Sequence, residues 1–101
     1  MPKAYLVIEH VITDPAKFEE YLVKAGPMIA KYGYGGRYIT KGNTHRFLDR
    51  GDWKPDRVVL IEFPDMEALN AWYTAPEYQP LLALRKQSTS NQDMLIALEG
   101  T

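Results

Sequence analysis

His10 and Glu62 are the two side chains of this sequence best placed to move a proton, because each interrupts an apolar strand-like alternation. His10 falls in the series Leu6, Ile8, His10, Ile12. An imidazole held among aliphatic side chains can act as a general base or as a hydrogen-bond donor to a ligand. Its plainer role is a buried histidine satisfied by one backbone or hydroxyl partner. Glu62 follows Val58 and Leu60 on one strand face, and Glu9 shares another with Val7 and Val11. A carboxylate on such a face must find a partner or stay near the sheet's edge. An arginine of a second copy, Arg37 or Arg85, would satisfy Glu62; without one, Glu62 would be a proton acceptor in a water-poor cavity.

Aromatic residues supply candidate walls for a small-molecule pocket. Trp72, Tyr73 and Tyr78 flank Ala75-Pro76, and Tyr21 and Tyr32 recur in an earlier helical stretch. At helical spacing such a stripe is more often core than pocket. The proline break beside these rings and their hydroxyl groups lift the pocket reading slightly, since a pocket needs a few polar points in an apolar wall. Arg85, one or two turns further on, would orient an anionic substrate group or pair with a carboxylate. The candidate catalytic residues are therefore Glu62 and His10, and the candidate substrate-binding residues are Tyr21, Trp72, Tyr73, Tyr78 and Arg85.

Other chemistries find little support. The 101 residues include no cysteine, which excludes disulfides, thiolate metal sites and a thiol nucleophile. The two histidines, His10 and His45, lack metal-binding spacing, so no metal is expected. Gly33-Tyr34-Gly35-Gly36 precedes a strand and lacks the Lys-Ser/Thr of a phosphate loop, and it reads as a helix stop and turn. Ser88 and Ser90 lie in a polar stretch without a nucleophile elbow. No cofactor is expected. The net charge is −1, and Arg46, Arg50, Lys54 and Arg57 are interleaved with Asp49, Asp52 and Asp56, so no basic stripe points to nucleic acid. No apolar run approaches the roughly 20 residues of a membrane span. With no cleavage-site pattern near the start, the cytoplasm is the expected location.

The elements that must position these residues can be read from periodicity. Residues 4–12 and 57–63 read as strands, as do 37–41 with 44–48 across a Gly42-Asn43 turn, and 93–99. Asp14-Pro15 starts a helix whose stripe is Phe18, Tyr21, Leu22, Ala25, Met28, Ile29 and Tyr32, with a kink predicted at Gly26-Pro27. Asp65 caps a second helix to about 74, and Pro76 restarts it over 77–87. The order βαββαβ, with right-handed crossovers, predicts one ferredoxin-like α+β domain over 1–101. Two helices then lie on one face of a four-stranded antiparallel sheet. Both strand faces are largely apolar, and the helices cover only one. The other is expected to pair with a second copy, making a homodimer through sheet faces.

Several segments in this order resemble the bacterial domain-of-unknown-function family 1330, within the dimeric α+β barrel superfamily. They are Thr13-Asp14-Pro15 with Tyr21, Lys31-Tyr32-Gly33, Gly35-Gly36-Arg37-Tyr38 and Gly51-Asp52-Trp53-Lys54-Pro55. Ile61-Glu62-Phe63-Pro64, Ala71-Trp72-Tyr73, Pro76-Glu77-Tyr78, Leu84-Arg85 and Glu99-Gly100 continue the series. Two departures stand out: Gly33-Tyr34 is a two-residue insertion, and Ala75 replaces a usual serine. The resemblance implies a ferredoxin-like protomer and a dimeric α+β barrel, but no single activity, since the superfamily hosts unrelated ones. The functional expectation is a cofactor-free enzyme, monooxygenase- or isomerase-like, acting on a small metabolite between sheet and helices. The alternative is a non-catalytic small-molecule-binding or stress-related dimeric protein, and a purely structural dimer module comes third.

Overall fold

Strand β1, Ala4–His10, alternates buried and half-buried residues along its whole length, the pattern of a strand with one face in a core. The computed structural model describes residues 2–31, 33–49 and 51–101. After β1 come α1 (Pro15–Ile29), β2 (Arg37–Tyr38), β3 (Arg57–Phe63) and α2 (Met66–Thr74). A single 3-10 turn, Pro76–Tyr78, leads into α3 (Gln79–Ser88), and β4 (Met94–Glu99) ends the series. Asp14 and Asp65 cap α1 and α2 by accepting from the amides of Lys17 and Ala68, which satisfies N–H groups that a helix start leaves free.

The four strands form one antiparallel sheet in the order β2-β3-β1-β4. This is the ferredoxin-like arrangement expected from the sequence. Ala4, Leu6, Ile8, Val59, Ile61 and Phe63 are buried beneath Phe18, Tyr21, Ala25 and Ile29 of α1 and Leu69 and Trp72 of α2. No described helix is long and apolar enough to cross a membrane.

The barrel implied by the family resemblance is not present. The sheet is open, with β2 and β4 at opposite edges. Closure would require those edges to pair, yet β2 has only two residues, and small closed barrels use about eight strands. The fold is therefore an open-sheet ferredoxin-like α+β structure and not a dimeric α+β barrel.

Other expectations change locally. Residues 44–48 form no strand, although Asn43 makes the predicted turn at φ 62°. The β2–β3 ladder ends early because the Leu60 amide donates to the Thr40 hydroxyl at 2.9 Å, where a longer strand would offer a carbonyl. Helix α1 runs through Gly26 and Pro27 and stops at Ile29. Tyr32, expected to complete its stripe, lies outside the described residues, as does Arg50 of the charged loop. The first strand ends at His10, and Ile12 keeps a single bridge to Thr89.

Candidate functional site

The pairing of β1 with β4 sets up the site. Glu9 stands opposite Met94, so the next pair in the same register brings His10 alongside Asp93. His10 is buried, and its Nδ1 lies 3.1 Å from Asp93 Oδ1. An ionised carboxylate only accepts hydrogen bonds, so Nδ1 donates and, in the neutral ring, Nε2 is the free acceptor. His10 Nε2 is buried without a hydrogen-bond partner. The Phe18 ring stands edge-on to the imidazole at 4.8 Å.

Asp93 is shared. Its second oxygen accepts from Arg85 Nε at 3.0 Å, and Arg85 Nη1 donates to the Tyr78 hydroxyl at 2.8 Å. Tyr78 and Tyr21 are joined through their hydroxyls at 2.8 Å. Tyr78 and Arg85 lie seven residues apart, two helical turns, and so project from one side of the 3-10 turn and α3. Tyr21 reaches them from α1. The result is a continuous buried chain: Tyr21, Tyr78, Arg85, Asp93, His10. The carbonyl of Arg85 accepts from the Ser88 and Thr89 hydroxyls, and the Ser90 amide donates to the Val11 carbonyl. Those bonds hold the segment before Asp93 against the end of β1.

The electrostatics follow from burial and pairing. Burial opposes ionisation of Asp93, but hydrogen bonds from His10 and Arg85, with the guanidinium's charge, outweigh it. The carboxyl is held below the ordinary aspartate value. Burial also disfavours the Arg85 cation, yet Tyr78 and Asp93 around it raise its pKa overall. Burial raises the Tyr21 phenol well above its usual range, and Tyr78 raises it further. Tyr78 is raised by burial and drawn back in part by Arg85. At neutral pH the chain therefore carries a carboxylate, a guanidinium and two neutral phenols.

His10, Tyr21, Tyr78 and Arg85 thus meet in one network. Trp72 is fully buried with its ring 4.4 Å from that of Tyr78, and Tyr73 is half-buried at 5.9 Å from the same ring. Glu62 is elsewhere. It stands opposite Tyr5 on the sheet face away from the helices, held by Arg37 Nε at 3.0 Å and by Lys3 at 3.4 Å. The hydrogen bond from Arg37 is the main reason its carboxyl lies below the ordinary glutamate value; burial opposes the shift, and Lys3 reinforces it. Its arginine is the cross-strand neighbour in the same chain. Asp93 was missed from the sequence because its role depends on strand register; it read only as the first residue of a strand.

Two cavities adjoin the network. One, of about 440 Å³, is bordered by Arg85, Asp93 and Tyr73 on the α3–β4 side. The other, of about 410 Å³, is bordered by Ile12, Phe18, Leu22 and Arg57. Phe18 both packs on His10 and lines the second cavity. Among the described residues, no three His, Cys, Asp or Glu side chains gather as a metal site would require.

The family model described as Domain of unknown function (DUF1330) matches residues 3–100. No curated protein matches the chain significantly. Among solved structures, a protein of unknown function from Rhodopseudomonas palustris is 18% identical with a TM-score of 0.80, the match covering 99% of this chain and 83% of that one. SnoaB, a cofactor-independent oxygenase from Streptomyces nogalater, is 16% identical with a TM-score of 0.64, covering 100% of this chain and 95% of that one. A hypothetical protein of Arabidopsis thaliana is 12% identical with a TM-score of 0.67, covering 99% and 88%. At these identities the likeness is one of fold.

Proposed function

Given that the chain belongs to the Domain of unknown function (DUF1330) family across residues 3–100, we propose from its own geometry a cofactor-free enzyme that transfers a proton on a small metabolite. The observation that carries this reading is the unpartnered, buried His10 Nε2, with Asp93 fixing the ring from the other nitrogen. A base held in one tautomer by a carboxylate is a recurrent arrangement for proton abstraction.

Nε2 takes a proton from an acidic C–H or O–H of the substrate, and Asp93 stabilises the imidazolium that forms. Returning the proton to a different atom of the substrate isomerises it. An oxygenase outcome would instead have dioxygen accept electrons from the substrate anion, which is compatible with the fold shared with SnoaB. Phe18 packs on the imidazole and lines the second cavity, the side from which substrate reaches Nε2 in this reading. Tyr21, Tyr78 and Arg85 hold Asp93 in place from behind, and Trp72 and Tyr73 pack the wall. Glu62 takes no part in this proton transfer.

The sheet face opposite the helices is assigned to a second copy of the chain, making a homodimer. Met94, Ile96 and Leu98 are 40%, 39% and 52% exposed there, beside Val7, Val58 and Leu60, and a contiguous apolar surface of this kind favours a partner.

The test is hydrogen–deuterium exchange at carbon, followed by NMR, for a panel of small carbonyl and phenolic metabolites. Wild-type protein is expected to catalyse exchange in at least one of them. His10→Gln should slow it by about 100-fold or more, while Glu62→Gln leaves it unchanged. One observation favours the non-catalytic binding alternative: every side-chain link from Tyr21 to Asp93 is satisfied within the protein. Metabolites that raise the melting temperature without exchanging would establish that alternative.

A further inference from the structure

The cavity on the α3–β4 side has a chemical bias that the proton-transfer reading does not use. Its charged side chains are two cations, Arg85 and Lys86, against one carboxylate, Asp93. Arg85 is only 3% exposed and borders the cavity. Its Nε and Nη1 are engaged with Asp93 and Tyr78, and among the described residues Nη2 has no protein partner and is not a closed-off buried atom. Lys86 and Asn91 add an ammonium and an amide at the rim. The Ser90 oxygen accepts from the Gln92 amide, which leaves its O–H free to donate. The one acidic group, Asp93, already has both oxygens occupied, by His10 and Arg85. A nearly buried guanidinium with an unused donor is suited to a carboxylate. The ring of Tyr73 and the side chain of Leu95 line the same space, and a volume of about 440 Å³ lies within the range of small-molecule sites.

We propose that this cavity binds a small organic carboxylate, its charge on Arg85 and its apolar body against Tyr73 and Leu95. The site is separate from the free nitrogen of His10, which lies at the opposite side of the ring from Asp93. Binding here does not require His10 to turn over any substrate.

Benzoate is the probe, with benzamide and acetate as controls, titrated into the isotopically labelled protein and followed by two-dimensional NMR. Benzoate should give saturable shifts at the Arg85 side chain and at the Ser90, Asn91 and Leu95 amides. Benzamide, lacking the charge, and acetate, lacking the ring, should each bind at least about tenfold more weakly. Lys86→Gln, a substitution at an exposed position that leaves the core untouched, should weaken benzoate by about two- to fivefold. Arg85→Lys should weaken it further if the variant keeps a native spectrum. The proposal is overturned by shifts that do not saturate, by shifts confined to other residues, by equal affinity for benzamide or acetate, or by no effect of Lys86→Gln.

Discussion

His10 and Asp93, 83 positions apart in the chain, meet at 3.1 Å where β1 and β4 run out of paired residues. The contact fixes a buried imidazole through Nδ1 and leaves Nε2 without a partner, the geometry on which the proposed base rests. It also ties that base to a carboxylate that Arg85 holds from the other side.

Asp93→Asn should be strongly destabilising. It removes the only described anion facing the Arg85 guanidinium, and stranding one partner of a buried ion pair costs about 3–5 kcal/mol. Chemical denaturation at neutral pH would measure the loss. A variant as stable as wild type would mean that solvent, and not Asp93, satisfies Arg85.

The same pair sets a pH dependence. The Asp93 carboxyl is depressed in the fold, so its contribution is complete above the ordinary aspartate value near 4 and is lost as pH falls through the lower folded value. The stability gap between wild type and Asp93→Asn should be constant from pH 7 to about 5 and narrow below about 4. Denaturation curves across that range test the sign; a gap that widens in acid would contradict it.

At alkaline pH the two buried phenols take over. The Tyr21 and Tyr78 values are raised by burial, so the stability they bring is complete below about pH 10 and falls away as pH rises through the folded values. Wild type should lose stability relative to a Tyr21→Phe, Tyr78→Phe double variant above about pH 10. An unchanging difference through that range would place the hydroxyls in water.

Much of this was legible in the sequence, and the omissions have one physical cause. Alternation placed His10 with Leu6 and Ile8 under the helices, and helical spacing put Arg85 one or two turns beyond the Trp72, Tyr73 and Tyr78 rings. Asp93 was invisible because nothing local marks it; only the β1–β4 register brings it to His10. Register likewise gave Glu62 its in-chain partner Arg37, where an arginine of a second copy was expected. The strand predicted over 37–41 stops at Tyr38, where a side chain, the Thr40 hydroxyl, takes the place of a backbone acceptor. The expected barrel failed because sequence pattern reports which faces are apolar and not whether the sheet's edges meet.

A steric prediction concerns Gly36. A Cβ there would stand 2.6 Å from Ile29 Cγ2 and 2.9 Å from Phe63, so Gly36→Ala should cost about 1–3 kcal/mol through overpacking. Thermal unfolding would register it as a lowered Tm, and an unchanged Tm would show that α1 can give way.

The open sheet face predicts an assembly. Ile96→Lys places a charge on a side chain already 39% exposed, so the fold should survive while the dimer does not. Sedimentation should give twice the chain mass for wild type and the single-chain mass for the variant. Wild type sedimenting as a monomer at micromolar concentration would remove the second copy.

The orientation of His10 is open to direct observation by nitrogen-15 NMR of the imidazole, which distinguishes a protonated from a bare ring nitrogen. The geometry predicts a proton on Nδ1, shared with Asp93, and a bare Nε2, with the preference relaxed in Asp93→Asn. A proton found on Nε2 would deny the ring its free acceptor and, with it, the role of base.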